Sequence, residues 1–239
     1  MDTSTLFTVW DQAGGQAPVQ RALCLLAAGW PERSWAQWAA TSIGERDEYL
    51  LRLREQLFGQ QLQGVASCPQ CAEKLELTFE TRDIRAPGPS AELPLLIETQ
   101  GYALRCRPPN SEDLLIAMQA SQDRQRHELM QRCVVSASLA GDPVPPQQLP
   151  EEVIATLSSR LAQLDPQAVV ELSLDCPACA HCWVTAFDIL SYLWGEIEDW
   201  GQRLLCDIHA LALAYGWSER DILAMSPRRR RLYLDLIGA

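Results

Sequence analysis

Two Cys-Pro-x-Cys pairs, Cys68-Pro69-Gln70-Cys71 and Cys176-Pro177-Ala178-Cys179, are the residues of this chain best suited to chemistry. A tight turn of this kind aims two thiolates at one point, and its backbone N–H groups can donate to the sulfurs. Two ligands leave a tetrahedral site half built. Cys68, Cys71, Cys176 and Cys179 together complete it, with 104 residues inserted between the second and third ligand. A closed four-sulfur site has no position for water, so it is structural and not catalytic. The expectation is one structural Zn2+ per chain, whose binding free energy becomes folding free energy.

The pairs belong to a longer internal repeat. Shifting the chain against itself by 108 residues superposes Cys68 to Ala72 on Cys176 to Ala180. Leu75 and Trp183 then coincide, as do Phe79 and Phe187; upstream, Leu62 and Ala66 match Val170 and Leu174, while Gly64 stands where Leu172 does. Each copy reads as strand, tight Cys turn, strand, which is half of a zinc ribbon. Two other readings compete: unliganded cysteines in a degenerate ribbon, and a glutaredoxin-type redox pair. The redox pair wants its cysteines at a helix N-terminus that lowers the thiol pKa, whereas strand-like Leu75 to Phe79 follows here. Zinc turns often carry Gly after the second cysteine to permit φ > 0; both copies carry Ala, Ala72 and Ala180. His181 and Cys182 lie close enough to compete as ligands, but their counterparts Glu73 and Lys74 cannot serve symmetrically, so both are read as bystanders. Cys24, Cys106, Cys133 and Cys206 are expected to be small buried hydrophobes.

The elements that must position these turns follow from hydrophobic period and punctuation. A helix is expected from Pro18 to Gly29, and a second from about Glu45 to Phe58 with Gly59 as its stop. From Gln61 to Glu80 the period changes to 2. The stretch Ala86-Pro87-Gly88-Pro89 separates this region from a hairpin turning at Gln100-Gly101, after which Ser111 caps a helix carrying Leu114, Leu115 and Met118. Further helices are expected from about Arg126 to Leu139 and from Glu151 to Leu164, then a half-buried strand over Ala168 to Asp175. The longest element begins near Asp188 and stops at Gly216, with two short helices opened by Ser218 and Ser226-Pro227. This is a helix-rich α+β protein: two strand–Cys turn–strand halves form a zinc-ribbon-like unit surrounded by helices, with a long C-terminal helix. We expect one cooperative unit over residues 1–239, with sub-regions 1–60 (N-terminal helices), 61–85 (first zinc half), 86–167 (inserted hairpin and helices), 168–187 (second zinc half) and 188–239 (C-terminal helices).

Composition narrows the function classes. Hydrophobic residues at 47% and charged residues at 21% match a soluble globular protein. A net charge of −11 argues against bulk attraction to nucleic acid or anionic membrane. Met1 to Gln16 lacks a basic n-region and an apolar h-region, and the longest apolar run is about nine residues near Ala22 to Trp30, so a cytoplasmic protein without a membrane span is expected. The single concentrated basic run, Arg228-Arg229-Arg230-Arg231, follows a helix and turn that imitate a helix-turn-helix; a solvated face or protein-contact patch suits the acidic chain better. His209 beside Asp207, and His127 beside Arg126, form no recognisable catalytic arrangement, and P-loop, dinucleotide-binding, H-E-x-x-H and nucleophile-elbow motifs are missing. A small-molecule substrate is not expected.

The run Ala210 to Tyr233, with its Tyr215-Gly216-Trp217 turn, acidic helix start, Ile222-Leu223 pair, Ser226 cap and Tyr233, resembles T4-type phage baseplate proteins of contractile tails and contractile injection systems. It is also similar to the ends of several phage tail assembly chaperones. The stretch Ile43-Gly44-Glu45-Arg46-Asp47 through Phe58-Gly59 fits the same resemblance. The resemblance implies a non-enzymatic baseplate or hub protein, cytoplasmic in the producing cell or incorporated in the particle, docking on other baseplate or tail proteins. The C-terminal helix pair around Trp217, Ile222, Arg228, Arg229, Arg230, Arg231 and Tyr233 is the expected partner surface. The rivals are a zinc-ribbon nucleic-acid or transcription-associated protein and a CxxC thiol oxidoreductase.

Overall fold

The computed structural model describes residues 1–87 and 93–238; Gly88 and Pro89 of the expected separator lie outside them. The elements in chain order are α1 (Thr3–Ala13), α2 (Pro18–Gly29), α3 (Trp35–Ala40), α4 (Ile43–Phe58), β1 (Gln61–Ser67), β2 (Lys74–Glu80), β3 (Leu95–Thr99), β4 (Tyr102–Cys106), α5 (Ser111–Ala117), α6 (Gln122–Arg132), β5 (Val134–Leu139), β6 (Asp142–Pro143), α7 (Glu151–Leu164), β7 (Val170–Asp175), β8 (Cys182–Phe187), α8 (Ile189–Tyr215), α9 (Glu219–Leu223) and α10 (Pro227–Ile237). The fold is α+β and helix-rich, with small antiparallel sheets and a long C-terminal helix. The chain divides into two compact units, one made of Met1–Glu32 with Leu190–Ala239, the other of Arg33–Ile189.

In the second unit, β3, β4, β5 and β6 form a four-stranded sheet in that order, and β1–β2 and β7–β8 are separate hairpins. Gln100 (φ 50°) and Gly101 (φ 82°) make the left-handed turn between β3 and β4, as the Gln-Gly pair predicts. Val153, Ile154, Leu157, Leu161 and Leu164 line one face of α7 and bury against Ile97, Leu104, Cys106 and Ala137 of the sheet. The spacing of those α7 residues is the helical stripe that the sequence shows.

Two local expectations are corrected. The helix expected from Arg126 to Leu139 ends at Arg132, and Val134–Leu139 is strand β5. Its β-branched start favours a strand, and its pairing with β4, Leu104 opposite Ala137 and Cys106 opposite Val134, fixes that conformation from outside the segment. The cap of α5 is Asn110, whose side chain accepts from the Asp113 N–H at 2.9 Å, with Ser111 the first helical residue.

In the first unit, Leu204, Ile208 and Leu211 of α8 share a core with Phe7 of α1, Ile222 of α9 and Leu234 of α10. Trp10 of α1 donates its indole N–H to Glu198 at 2.9 Å. Its ring lies so close over Gly201 that a Cβ there would come within 2.5 Å of it. Gly216 (φ 67°) ends α8 where the sequence places the stop. Helices α1 and α3 are additions to the sequence-based list. No helix among the described residues is long and apolar enough to cross a membrane.

Candidate metal centre

The two hairpins are built alike down to single hydrogen bonds. Ala66 opposes Leu75 as Leu174 opposes Trp183, and Leu62 opposes Phe79 as Val170 opposes Phe187. Both pairings preserve the 108-residue shift of the sequence. In each turn the first cysteine's N–H donates to the carbonyl five residues on, Glu73 or His181, and its carbonyl accepts from the Ala N–H four residues on, all at 2.9 Å. That closure forces Ala72 to φ 62° and Ala180 to φ 57°. The left-handed position usually given to Gly is therefore present, occupied by a residue that strains to adopt it.

The hairpins are tied at both ends. At the strand ends Phe79 meets Phe187 edge to face, with centroids 5.6 Å apart. Buried Gln167, just before β7, accepts from the Ala86 N–H at 2.7 Å and donates to the Ile84 carbonyl at 3.3 Å, holding the exit of the first hairpin against the entry of the second. At the turns the four sulfurs of Cys68, Cys71, Cys176 and Cys179 lie within 4.8 Å of one another. Leu75, Leu77 and Trp183 pack against this cluster.

The geometry fits a tetrahedral ion. A Zn–S bond of about 2.3 Å sets sulfur pairs about 3.8 Å apart; Cys68 to Cys179 is 3.7 Å and Cys71 to Cys176 is 3.6 Å. The first cysteine of each turn is buried, while Cys71 is exposed and Cys179 partly so. Burial opposes ionisation of Cys68, but the N–H groups of Cys71 and Gln70 and the adjacent thiols bring its pKa down to about 7. At Cys179 the His181 N–H favours the thiolate, yet burial and the three other sulfurs outweigh it and push the pKa up to about 12. One thiolate forms readily and a further one resists, as expected of like charges crowded without a cation. A divalent ion would remove that resistance, so these residues can hold a metal.

His181 and Cys182 stay outside the cluster, as their asymmetry predicts. His181 stacks on Trp183, rings 6.1 Å apart. Cys182 is exposed, and its interaction with the opposed Asp175 carboxylate raises its pKa. Neither cysteine pair opens a helix, since β2 and β8 follow, which removes the dipole a redox thiol would use. Cys106 and Cys133 are buried and pushed up to about 12 by that burial. Cys206 is exposed and Cys24 only partly covered, contrary to the expectation of buried hydrophobes; Cys206 sits on the solvent side of the α8 stripe.

The expected partner residues divide. Ile222 is fully buried in the α8–α9–α10 core, and Arg230 turns inward to donate to the Met225 carbonyl at 2.8 Å. Both therefore lie beneath the exposed face of these helices. Trp217 and Tyr233 are half-buried and pack edge to face at 4.8 Å. Arg228, Arg229 and Arg231 are exposed.

Sequence reasoning missed one positioning device. Asp165 accepts from the Gly44 N–H at 2.9 Å and so anchors the first turn of α4 to the segment entering β7. Any side chain at Gly44 would collide with that carboxylate, a Cβ lying 1.9 Å from Asp165 Oδ1. A glycine directly after an Ser-Ile helix start was the available signal.

A helix-rich α+β unit built around a tetracysteine cluster is thus the class of protein. The chain belongs to the family described as T4 bacteriophage base plate protein, which it matches over residues 34–194. The match nearly coincides with the compact unit Arg33–Ile189, which contains all four clustered cysteines. It includes Ile43 to Gly59 but not the run Ala210 to Tyr233. No curated protein and no solved structure matches the chain.

Proposed function

We propose that the protein is a non-enzymatic structural or assembly component of a phage-like contractile tail or injection machine, with one zinc ion closing its tetracysteine site. The observation that carries this reading is the overlap of the base plate family match with the unit that encloses the four sulfurs. Base plate proteins work by holding neighbours in fixed geometry. A structural ion serves that purpose because it cross-links chain segments far apart in sequence without an open coordination position. Zinc suits four thiolates at tetrahedral spacing. In this reading the protein is made in the cytoplasm of the producing cell and docks there on other baseplate or tail proteins, using the exposed Arg228, Arg229 and Arg231 together with the half-buried Trp217 and Tyr233.

Deletion of the gene tests the function. Loss of assembled tails, restored by the wild-type gene, together with co-purification of the protein with other baseplate components, is the expected result. Normal tails after deletion would overturn the reading.

A further inference from the structure

Helix α10 carries a surface that its own fold leaves uncovered. Arg230 and Leu234 face inward and Tyr233 packs on Trp217. The outward stripe is Arg228, Leu232 and Leu236, spaced four residues apart, with Leu232 55% and Leu236 76% exposed. Arg229 and Arg231 flank it. Among the described residues none of these three arginines has a carboxylate within 4 Å. Arg229 instead lies over the Tyr233 ring, 5.6 Å from its centroid.

Two features together define what would cover this stripe. Exposed leucines at one-turn spacing match the knobs of an amphipathic helix. Three unneutralised cations in a chain of net charge −11 would attract negative charge at the edges of that helix. A second copy of this face is disfavoured, because each copy would bring three arginines against only Asp235. Nucleic acid is disfavoured by the chain's overall acidity and by the two leucines, which phosphates cannot use. We propose that the α10 stripe docks an amphipathic helix with an apolar seam and acidic flanks, supplied by another protein. This rests on the partner-binding part of the proposed function, but not on the metal site.

The test uses the full-length protein and three probes: a synthetic helical peptide with a leucine seam flanked by glutamates, the same pattern flanked by lysines, and duplex DNA. Fluorescence anisotropy at low and high salt reads binding. The expected result is that the Leu/Glu peptide binds at least about tenfold tighter than the Leu/Lys peptide and weakens as salt rises. Leu232→Asp with Leu236→Asp, and separately Arg228→Glu with Arg231→Glu, should each weaken it by about tenfold or more. Unchanged melting would show that the exposed substitutions spare the fold; the charge pair decides the matter if the leucine pair unfolds. No binding of the Leu/Glu peptide, equal binding of the Leu/Lys peptide, or binding indifferent to both variants would overturn the proposal. Preferential, arginine-dependent binding of DNA would replace it with the nucleic-acid reading. Tails that fail to assemble without the gene, combined with an indifferent α10, would sink this surface and leave the proposed function standing.

Discussion

Replacing one ligand in either hairpin should destabilise the protein equally. Cys68→Ser and Cys176→Ser each remove a buried member of the cluster, at equivalent places in two turns with the same hydrogen bonds. The site ties Cys71 to Cys176 across 104 intervening residues. For a loop of about 100 residues the chain-entropy estimate of such a cross-link is about 4.7 kcal/mol. A domain's whole stability is about 5–15 kcal/mol, so the link is a large share of it. For a chain of this size each kcal/mol moves Tm by about 2–4 °C, which puts the expected loss at about 10–20 °C. The assay is a thermal melt of wild type, wild type with a strong chelator, and both variants. We expect one cooperative transition in wild type, with the chelated protein and both variants melting together well below it. A chelator without effect, or a loss confined to one hairpin, would refute the reasoning.

Ala72→Gly and Ala180→Gly should stabilise. Their left-handed φ values cost an L-residue about 1–2 kcal/mol, against about 0.4–1 kcal/mol of added unfolded-chain freedom for Gly. The net gain of roughly 0.5–1 kcal/mol each is readable in urea titrations, and a lowered midpoint would contradict it. Gly44→Ala should cost about 1–3 kcal/mol by expelling Asp165 from its hydrogen bond with α4; an unchanged midpoint would show that Asp165 does not anchor the helix. Asp47 is buried beside Arg46, and burial raises its pKa from 3.8 to about 6 despite that pairing. A raised carboxylate pKa penalises the ionised fold, so the penalty is full above pH 6 and fades as pH falls toward 4. Unfolding free energy of wild type relative to Asp47→Asn should therefore rise on acidification through that window, by about 3 kcal/mol at most. Parallel pH profiles would contradict it.

The candidate site was unusually legible because it is local twice over. Each half needs only a period-2 run, a Cys-Pro-x-Cys turn and a second run, and the repeat at 108 residues says that the halves are equivalent. The helix stops at Gly59 and Gly216 were legible for a similar reason, since both take positive φ. What escaped was set by distant partners. Val134 to Leu139 became a strand through pairing with β4, and the cut between compact units falls at 32/33 and 189/190 because α8 joins α1 in one core. Ile222 and Arg230 belong to the helix pair expected as a partner surface, but both are buried, Ile222 in the core shared with α8 and Arg230 against the Met225 carbonyl, a packing that the local pattern of two short helices does not carry. The family, too, was legible, though its match rests on residues 34–194 and not on the C-terminal run that resembled it.

Metal content of the purified protein bears most directly on the centre. One zinc per chain, in an all-sulfur tetrahedral environment by X-ray absorption and lost alike from Cys68→Ser and Cys176→Ser, is the predicted result. Metal-free protein with four titratable thiols and an unaltered fold would contradict it.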